Sequence, residues 1–181
     1  MEIKELDKAK LRKKMIQARL DLGSDEYLTK SNLIISKLKK NSDFINAKTI
    51  GIYVSFRNEV NTISLIKEML AVKKICVPKT ENHEMNFYTI NSLKELKKGN
   101  YGILEPDNDK LVNKKDIDLL IVPIVSYDKD HNRLGYGGGY YDRYLKDYEG
   151  KVIGLAFTFQ QVEKLPVERF DLPIKTIIDE K

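Results

Sequence analysis

A nearly continuous apolar run, DLLIVPIV, occupies residues 118–125, and the glycine-rich segment RLGYGGGYYDRYL follows it at residues 133–145. An apolar run of this kind is typical of a central strand that is covered on both faces of its sheet. Pro123 cannot donate to a neighbouring strand, so the last residues of the run should lie near the end of the sheet. The residues from Tyr140 onward can begin a helix directly after the glycines. This part of the sequence therefore predicts a strand, a glycine loop and a helix in succession.

The same alternation of helices and strands extends along the chain. Apolar residues at helical spacing predict helices over 4–21, 25–40 and 62–71, with a short helix over 92–98. Strand patterns occupy residues 49–55, 74–78, 85–90, 151–157 and 174–178. Alternation of this kind predicts an α/β, single-domain layered fold over residues 1–181, with a mostly parallel central sheet flanked by helices.

The composition narrows the class of protein. The chain has 181 residues, 41% of them hydrophobic and 33% charged, which is ordinary for a globular domain with a full-sized core. A single cysteine, Cys76, excludes an internal disulfide and suits a reducing cytoplasm. The first residues lack the apolar core of a signal peptide, and no segment approaches the roughly 18 apolar residues of a membrane span. We expect a cytoplasmic protein that does not bind membranes.

Charge and histidine content bear on the ligands. The net charge is +5, but the lysines are spread along the chain and form no stripe with interleaved aromatic residues. This pattern favours a solvated basic surface over a nucleic-acid interface. The two histidines, His83 and His131, have no cysteine or carboxylate at a metal-ligand spacing, which argues against a zinc site.

The glycine segment has the composition of a loop that binds phosphate. Four of the chain's ten glycines lie between residues 135 and 139, where the backbone can adopt positive φ and turn its N–H groups toward an anion. Arg133 and Arg143 flank the glycines with guanidinium groups suited to phosphate oxygens. The third position of a dinucleotide fingerprint is Tyr140 rather than glycine, and the Gly-Lys-Ser/Thr of a Walker A loop is absent. For the glycines alone, a flexible turn without a ligand is the alternative.

Two further features lie where open α/β sheets bind ligands, beyond the carboxyl ends of the strands. One is the loop after strand 49–55, with residues 56–59, and the other is the segment from Asp128 to the glycine loop. On the first helix Lys8 and Arg12 are four residues apart. These two cations either converge on one anion or form a solvated basic face.

In these residues the chain resembles the 5-formyltetrahydrofolate cyclo-ligases, also called 5,10-methenyltetrahydrofolate synthetases. The segment RLGYGGGYYDRYL is similar to that family's signature, and weaker matches surround it in the expected order along nearly the whole chain. These matches are Lys8 with Leu11-Arg12, Tyr53-Val-Ser55 leading to Glu59-Val60 and Thr62, Tyr101-Gly-Ile-Leu-Glu-Pro106, the stretch from Pro123 to Asp128, and Gln161 with Leu165-Pro166.

The resemblance implies an ATP-dependent ring closure. In that family the γ-phosphate of MgATP passes to the formyl oxygen of 5-formyltetrahydrofolate, nitrogen 10 attacks the activated carbon, and loss of phosphate leaves 5,10-methenyltetrahydrofolate. Phosphoryl transfer depends mainly on positioning, cations and metal, so a chain with few histidines is suited to it. The implied ligands are ATP, Mg²⁺ and 5-formyltetrahydrofolate, with or without a polyglutamate tail. We expect a monomer or weak dimer.

The resemblance also implies site residues, position by position. ATP is expected on Lys8, Arg12, Arg133, Leu134, Gly135, Tyr136, Gly137, Gly138, Gly139, Tyr140 and Tyr141. The folate is expected on Val54, Glu59, Tyr136, Gly137, Gly138, Gly139 and Tyr140. Catalytic roles are expected for Arg133, Tyr140 and Asp142, and Mg²⁺ is expected on Asp142 and Asp171.

Alternatives stay open for some of these residues and for the function. Asp142 also suits an ordinary first-turn carboxylate that a helix dipole favours, and Asp171 suits a turn before a proline. Lys175 stands where the family's usual ending has a second aspartate. Two other functions fit the glycine segment, a basic nucleotide- or RNA-binding module without catalysis and another small-molecule kinase.

Overall fold

A computed structural model describes residues 3–181, with the side chains of residues 3–7 and of Asn100 left aside. Its helices are α1 (Ile3–Leu20), α2 (Ser24–Lys40), α3 (Ser42–Asn46), α4 (Ile63–Met69) and α5 (Tyr140–Leu145). Its strands are β1 (Thr49–Ile52), β2 (Lys74–Glu81), β3 (Glu84–Ile90), β4 (Leu96–Lys98), β5 (Leu104–Pro106), β6 (Leu111–Val112), β7 (Leu119–Pro123), β8 (Ser126–Tyr127), β9 (Arg133–Leu134), β10 (Lys151–Leu155) and β11 (Thr176–Ile178).

The main sheet confirms the predicted α/β class. Its seven strands follow the order β11-β10-β7-β1-β2-β3-β6. The neighbours from β11 to β2 are parallel, and β3 and β6 add an antiparallel border. Two small antiparallel pairs, β4 with β5 and β8 with β9, lie outside this sheet.

The apolar run at 118–125 becomes β7, which has a hydrophobic cluster on each face. Leu119 and Ile121 point to the cluster that includes α2, α3 and α4, whereas Leu120 and Val122 point to the cluster that includes Tyr144 of α5. All five residues of β7 are buried. Burying an apolar side chain of this size contributes roughly 1.5–3 kcal/mol to the stability of the fold. Because both faces of β7 are covered, every position in the strand favours an apolar residue, and the apolar run is continuous.

The predicted helix over 92–98 is wrong. Ser92 caps a single 3₁₀ turn by accepting a hydrogen bond from the N–H of Lys94, and the chain then enters β4. The residues of β4 pair antiparallel with β5, in the register Leu96 opposite Pro106. The neighbouring strand takes the backbone hydrogen bonds that a helix would have used internally.

The parallel strands all end at one edge of the sheet, which we call the carboxyl edge. Four connections leave β1, β2, β7 and β10 there, and they occupy residues 53–62, 82–83, 124–139 and 156–160. The opposite border, where these strands begin, is the amino edge. Among the helices of the described residues, none has the length and apolar character needed to cross a membrane.

Candidate active site

The loop after β1 turns Glu59 inward. Arg57 and Asn58 adopt φ values of 46° and 52°, which make a tight turn just before Glu59. The base of the loop is closed by Thr62, whose Oγ1 donates to the carbonyl oxygen of Tyr53 at 2.7 Å. Glu59 is only 6% exposed as a result. A buried carboxylate needs hydrogen-bond partners, and this one has them.

Three side chains form a hydrogen-bonded chain that ends at the buried Glu59. The hydroxyl of Tyr136 donates to Glu59 Oε1 at 2.8 Å and accepts a hydrogen bond from Arg19 Nη2 at 2.5 Å. Glu59 Oε2 accepts the N–H of Phe56 at 2.8 Å. Burial raises the pKa of Glu59 above its ordinary value, and the nearby Arg19 charge opposes that rise. The loop after β1 and the glycine segment therefore meet at one carboxylate.

Residues 135–139 of the glycine segment connect β9 to α5 and lie against α1. Gly137 and Gly139 have φ values of 102° and 66°, in the region that favours glycine. Arg12 Nε donates to the carbonyl oxygen of Gly135 at 2.8 Å. A Cβ atom at Gly137 would lie 3.3 Å from the guanidinium carbon of Arg12. Arg12 is thus held beside the backbone that is predicted to bind phosphate.

Arg133 and Asp142 form an ion pair where α5 begins. Arg133 Nη2 lies 3.2 Å from each oxygen of Asp142, and the two side chains are 3% and 23% exposed. The guanidinium carbon lies 5.7 Å from the centre of the Tyr141 ring. Arg133 Nε is buried and has no hydrogen-bond partner among the described residues. The predicted metal ligand Asp142 is therefore also the partner of a predicted catalytic arginine.

Lys8 is held in the same way by carboxylates near the end of the chain. Its Nζ lies 2.7 Å from Asp171 Oδ2 and 2.9 Å from Glu168 Oε1. Burial on its own lowers the pKa of Lys8, but the hydrogen bonds with Asp171 and Glu168 outweigh it and raise the pKa. Lys8 is therefore a charged ammonium at neutral pH. A residue predicted to contact phosphate lies directly against a residue predicted to bind metal.

Asp142 and Asp171 suit a magnesium ion that is shared with a triphosphate. Within the described part of the chain, no three or more histidine, cysteine, aspartate or glutamate side chains are grouped to hold a metal. In nucleotide sites Mg²⁺ commonly takes one or two carboxylates and completes its shell with phosphate oxygens and water. The N–H of Leu172 lies 3.5 Å from Asp142 Oδ1, which brings the segment of Asp171 beside Asp142. Each carboxylate side chain keeps 23% of its surface exposed.

The remaining predicted residues differ in what they offer a ligand. Val54 and Leu134 are buried, and the Val54 side chain packs in the hydrophobic core. The carbonyl oxygen of Leu134 accepts the N–H of Val125 at 2.9 Å. The guanidinium carbon of Arg143 lies 5.0 Å from the centre of the Tyr140 ring. Arg143 Nη1 donates to the carbonyl oxygen of Gly138 at 2.9 Å, which fixes the end of the glycine segment.

One buried polar residue of this region, Arg19, was missed by sequence reasoning, and another, Asp128, was named only as the start of a candidate segment. Arg19 follows Arg12 by seven residues, which places both on one face of α1, and that spacing was the available signal. Asp128 accepts hydrogen bonds from the N–H groups of Asn132 at 3.0 Å and Leu165 at 2.9 Å. Burial on its own raises the pKa of Asp128, but these hydrogen bonds and others from its own turn outweigh it and lower the pKa. Asp128 therefore braces the β8–β9 hairpin.

Comparison with known proteins assigns this geometry to a family. The sequence model of the 5-formyltetrahydrofolate cyclo-ligase family matches residues 4–180. The chain belongs to this family. The 5-formyltetrahydrofolate cyclo-ligase of Haemophilus influenzae is 36% identical over 141 residues, which cover 73% of this chain and 75% of the relative. The cyclo-ligase of Mus musculus is 30% identical over 186 residues, with coverages of 94% and 92%.

Solved structures agree with the sequence relatives. The structure of Aquifex aeolicus 5,10-methenyltetrahydrofolate synthetase matches with a TM-score of 0.87 at 37% identity, over 96% of this chain and 90% of that one. Membership in the cyclo-ligase family confirms the resemblance drawn from the glycine segment, and the chain is accordingly a ligase. Of the functions that the sequence left open, the family supports the ATP-dependent enzyme rather than the binding module.

Proposed function

We propose that this protein closes the ring of 5-formyltetrahydrofolate to give 5,10-methenyltetrahydrofolate, with conversion of ATP to ADP and phosphate. The observation that carries the proposal is the 2.8 Å hydrogen bond between Tyr136 and Glu59. It joins the backbone suited to a triphosphate with the carboxylate suited to the N–H groups of a pterin. Both ligands of the reaction can therefore be bound side by side at the carboxyl edge.

The assignment of binding residues follows the two halves of this site. Lys8 and Arg12 supply cations from α1, and the segment from Arg133 to Tyr141 supplies backbone N–H groups for the triphosphate of ATP. Glu59 accepts hydrogen bonds from the pterin amino and ring N–H groups, and Val54 contributes its backbone beside it. The backbone in the middle of the glycine segment, from Tyr136 to Tyr140, faces both ligands.

The chemistry requires the formyl oxygen to become a leaving group. Transfer of the γ-phosphoryl group forms a bond from phosphorus to the formyl oxygen and releases ADP. Nitrogen 10 then attacks the formyl carbon, loses its proton, and expels phosphate. Arg133 stabilises negative charge on the transferring group, and Tyr140 at the end of the glycines orients it. A magnesium ion on Asp142 and Asp171, when bound, would neutralise charge on the phosphate oxygens.

Two cations, Lys8 and Arg133, must exchange their partners for this assignment to work. Lys8 is bonded to Glu168 and Asp171, and Arg133 is bonded to Asp142. A triphosphate with its magnesium carries both signs of charge, so it can pair with the cations and the carboxylates together. Binding of MgATP then replaces each protein ion pair without leaving a buried charge unpaired.

The remaining parts of the proposal rest on the sequence. They are a single catalytic domain over residues 1–181, a monomer or weak dimer, a cytoplasmic location, and no nucleic-acid or membrane partner. A polyglutamate tail on the folate is compatible with the +5 net charge of the chain. Size-exclusion chromatography with light scattering tests the oligomeric state directly.

An absorbance assay tests the reaction itself. Purified protein with MgATP and 5-formyltetrahydrofolate should generate the near-ultraviolet absorbance of the methenyl product, and omission of ATP should abolish the signal. Release of ADP and phosphate in equal amounts with the methenyl product completes the test. ATP consumption that yields a stable phosphorylated product instead would identify a small-molecule kinase and overturn the proposal.

A further inference from the structure

Arg19 is a buried cation whose hydrogen-bonding capacity is mostly unused. It is 1% exposed, and Nη2 donates to the hydroxyl of Tyr136. Its Nε and Nη1 are buried and find no hydrogen-bond partner among the described residues. Leaving charged donors unpaired in the interior costs free energy, and buried polar groups in folded proteins are nearly always paired. Stabilising the fold is therefore an insufficient explanation for this arginine.

Arg19 and Glu59 bind one and the same hydroxyl group. The Tyr136 oxygen accepts from the Arg19 guanidinium and donates its proton to the Glu59 carboxylate. A charged donor and a charged acceptor therefore both lie within hydrogen-bond distance of one oxygen atom. Any ligand group that replaces the hydroxyl must accept from one side and donate to the other.

We propose that Arg19 and Glu59 together recognise the lactam edge of the pterin ring, and that the Tyr136 hydroxyl occupies the place of this edge in the free protein. The inference rests on the proposed function, which makes a pterin the substrate. A lactam edge has an N–H beside a carbonyl oxygen, so the N–H donates to Glu59 and the oxygen accepts from Arg19. The carbonyl oxygen has two lone pairs, which allows it to use a guanidinium nitrogen that is otherwise unpartnered.

The Tyr136 side chain is placed so that it can move away from Arg19 and Glu59. It is 44% exposed, although its hydroxyl end reaches the buried pair. Glycines lie on both sides of it in the chain, and Gly137 already adopts a positive φ of 102°. Rotation of the tyrosine side chain would uncover Arg19 and Glu59 together. Arg19 is then a specificity-determining residue that touches the substrate.

Separate calorimetric titrations with 5-formyltetrahydrofolate and with ATP test the role of Arg19. Arg19→Met should raise the Kd for the folate by about tenfold or more, because it removes a charged hydrogen bond, and should leave the Kd for ATP within about twofold. Lys14→Met, which removes an exposed cation from the same helix, is the matched control and should bind both ligands as the wild type does. Equal loss of folate and ATP affinity in Arg19→Met would indicate a structural role and overturn the proposal.

Tyr136→Phe tests whether the hydroxyl competes with the ligand. Without its hydroxyl the side chain leaves Arg19 and Glu59 unoccupied, so the folate should bind as tightly as in the wild type or more tightly. Loss of affinity similar to that of Arg19→Met would mean that the hydroxyl is part of the bound site, which contradicts displacement. Arg19→Lys keeps the buried charge and so provides a folded variant if Arg19→Met is unstable; it should still weaken folate binding.

A folate analogue with an amino group in place of the 4-oxo group lacks the lactam edge, because it has neither the carbonyl oxygen nor the proton on the adjacent ring nitrogen. Arg19 has no carbonyl oxygen to bind in this analogue, so Arg19→Met should change its Kd by no more than about twofold, against about tenfold for the 4-oxo ligand. Equal effects on both ligands would refute the contact. This outcome is independent of turnover, because a protein that shows this coupling but forms no methenyl product would disprove the proposed reaction and keep the lactam assignment.

Discussion

The two edges of the sheet use charged side chains in different ways. At the amino edge, Asp118 Oδ2 accepts the N–H groups of Lys48 and Thr49, each at 2.8 Å. These bonds tie the start of β1 to the start of β7. At the carboxyl edge the charged side chains of Arg19 and Glu59 are 1% and 6% exposed, and both bond to the hydroxyl of Tyr136, although Glu59 also accepts the N–H of Phe56. Asp118 therefore fixes the chain, whereas Arg19 and Glu59 are buried charges that share one side-chain hydroxyl.

The buried polar atoms that lack a hydrogen-bond partner also differ between the two edges. Within the described residues, the buried side-chain atoms without a hydrogen-bond partner are Arg19 Nε and Nη1, Arg133 Nε and Thr158 Oγ1. Arg133 and Thr158 lie in connections at the carboxyl edge, and Arg19 reaches that edge from α1. Functional sites are where a protein departs from complete hydrogen bonding. The comparison therefore predicts that substitutions at the two edges affect different measured quantities.

The largest effect is expected at Arg133 and Asp142. Arg133→Ala and Asp142→Ala should each lower turnover by about 10²–10³-fold, because they remove charge that would stabilise phosphoryl transfer. The absorbance assay measures turnover, and circular dichroism checks the fold. Arg169→Ala, at an exposed position, is the control and should keep normal turnover. Turnover within a few-fold of wild type in both variants would remove these residues from the site.

Asp128 should have the next largest effect, on stability. Asp128→Ala leaves the N–H groups of Asn132 and Leu165 without their acceptor and should lower the free energy of unfolding by about 2–3 kcal/mol. Because the folded pKa of Asp128 is lowered, its contribution is present above the unfolded pKa of about 4 and is lost as the pH falls through the folded value. Urea unfolding at pH 7 and pH 3 measures both. A variant as stable as wild type at pH 7 would contradict the bracing role.

Glu59 should alter substrate binding by a smaller factor. Glu59→Gln should raise the KM for 5-formyltetrahydrofolate about tenfold and leave the KM for ATP unchanged, because an amide presents a donor where the pterin needs an acceptor. Burial raises the pKa of Glu59, so wild-type folate affinity should fall as the pH drops through that raised value. The Gln variant should lack this pH dependence. A parallel decline in both proteins would assign the titration to another group.

The sequence was sufficient for features that depend on local pattern. The continuous apolar run predicted a strand covered on both faces, and β7 has a cluster on each face. The glycines and the residues that follow them predicted a loop before a helix, and α5 begins at Tyr140. The prediction of a helix over 92–98 failed because Leu96–Lys98 pair with β5, and this partner strand decides their conformation.

Contacts between distant residues were beyond single-sequence reasoning. The chain from Arg19 through Tyr136 to Glu59 joins residues separated by 117 and 77 positions. Nothing in the local sequence of α1 states which of its cations becomes buried. The seven-residue spacing from Arg12 indicates a shared helix face, but the packing of α1 against the carboxyl edge decides that Arg19 meets Tyr136.

The smallest effect is expected at Asp118, and it tests the amino edge. Asp118→Ala removes the acceptor for two exposed backbone N–H groups, which water can replace, so the free energy of unfolding should fall by only about 1 kcal/mol. The KM values for folate and ATP and the turnover number should stay within about twofold of wild type. A change in folate KM comparable to that of Glu59→Gln would show that the amino edge influences the site, and the division between the two edges would fail. Unchanged kinetics with reduced stability would show that Asp118 stabilises the fold only. Substrate binding would then depend on the side chains at the carboxyl edge.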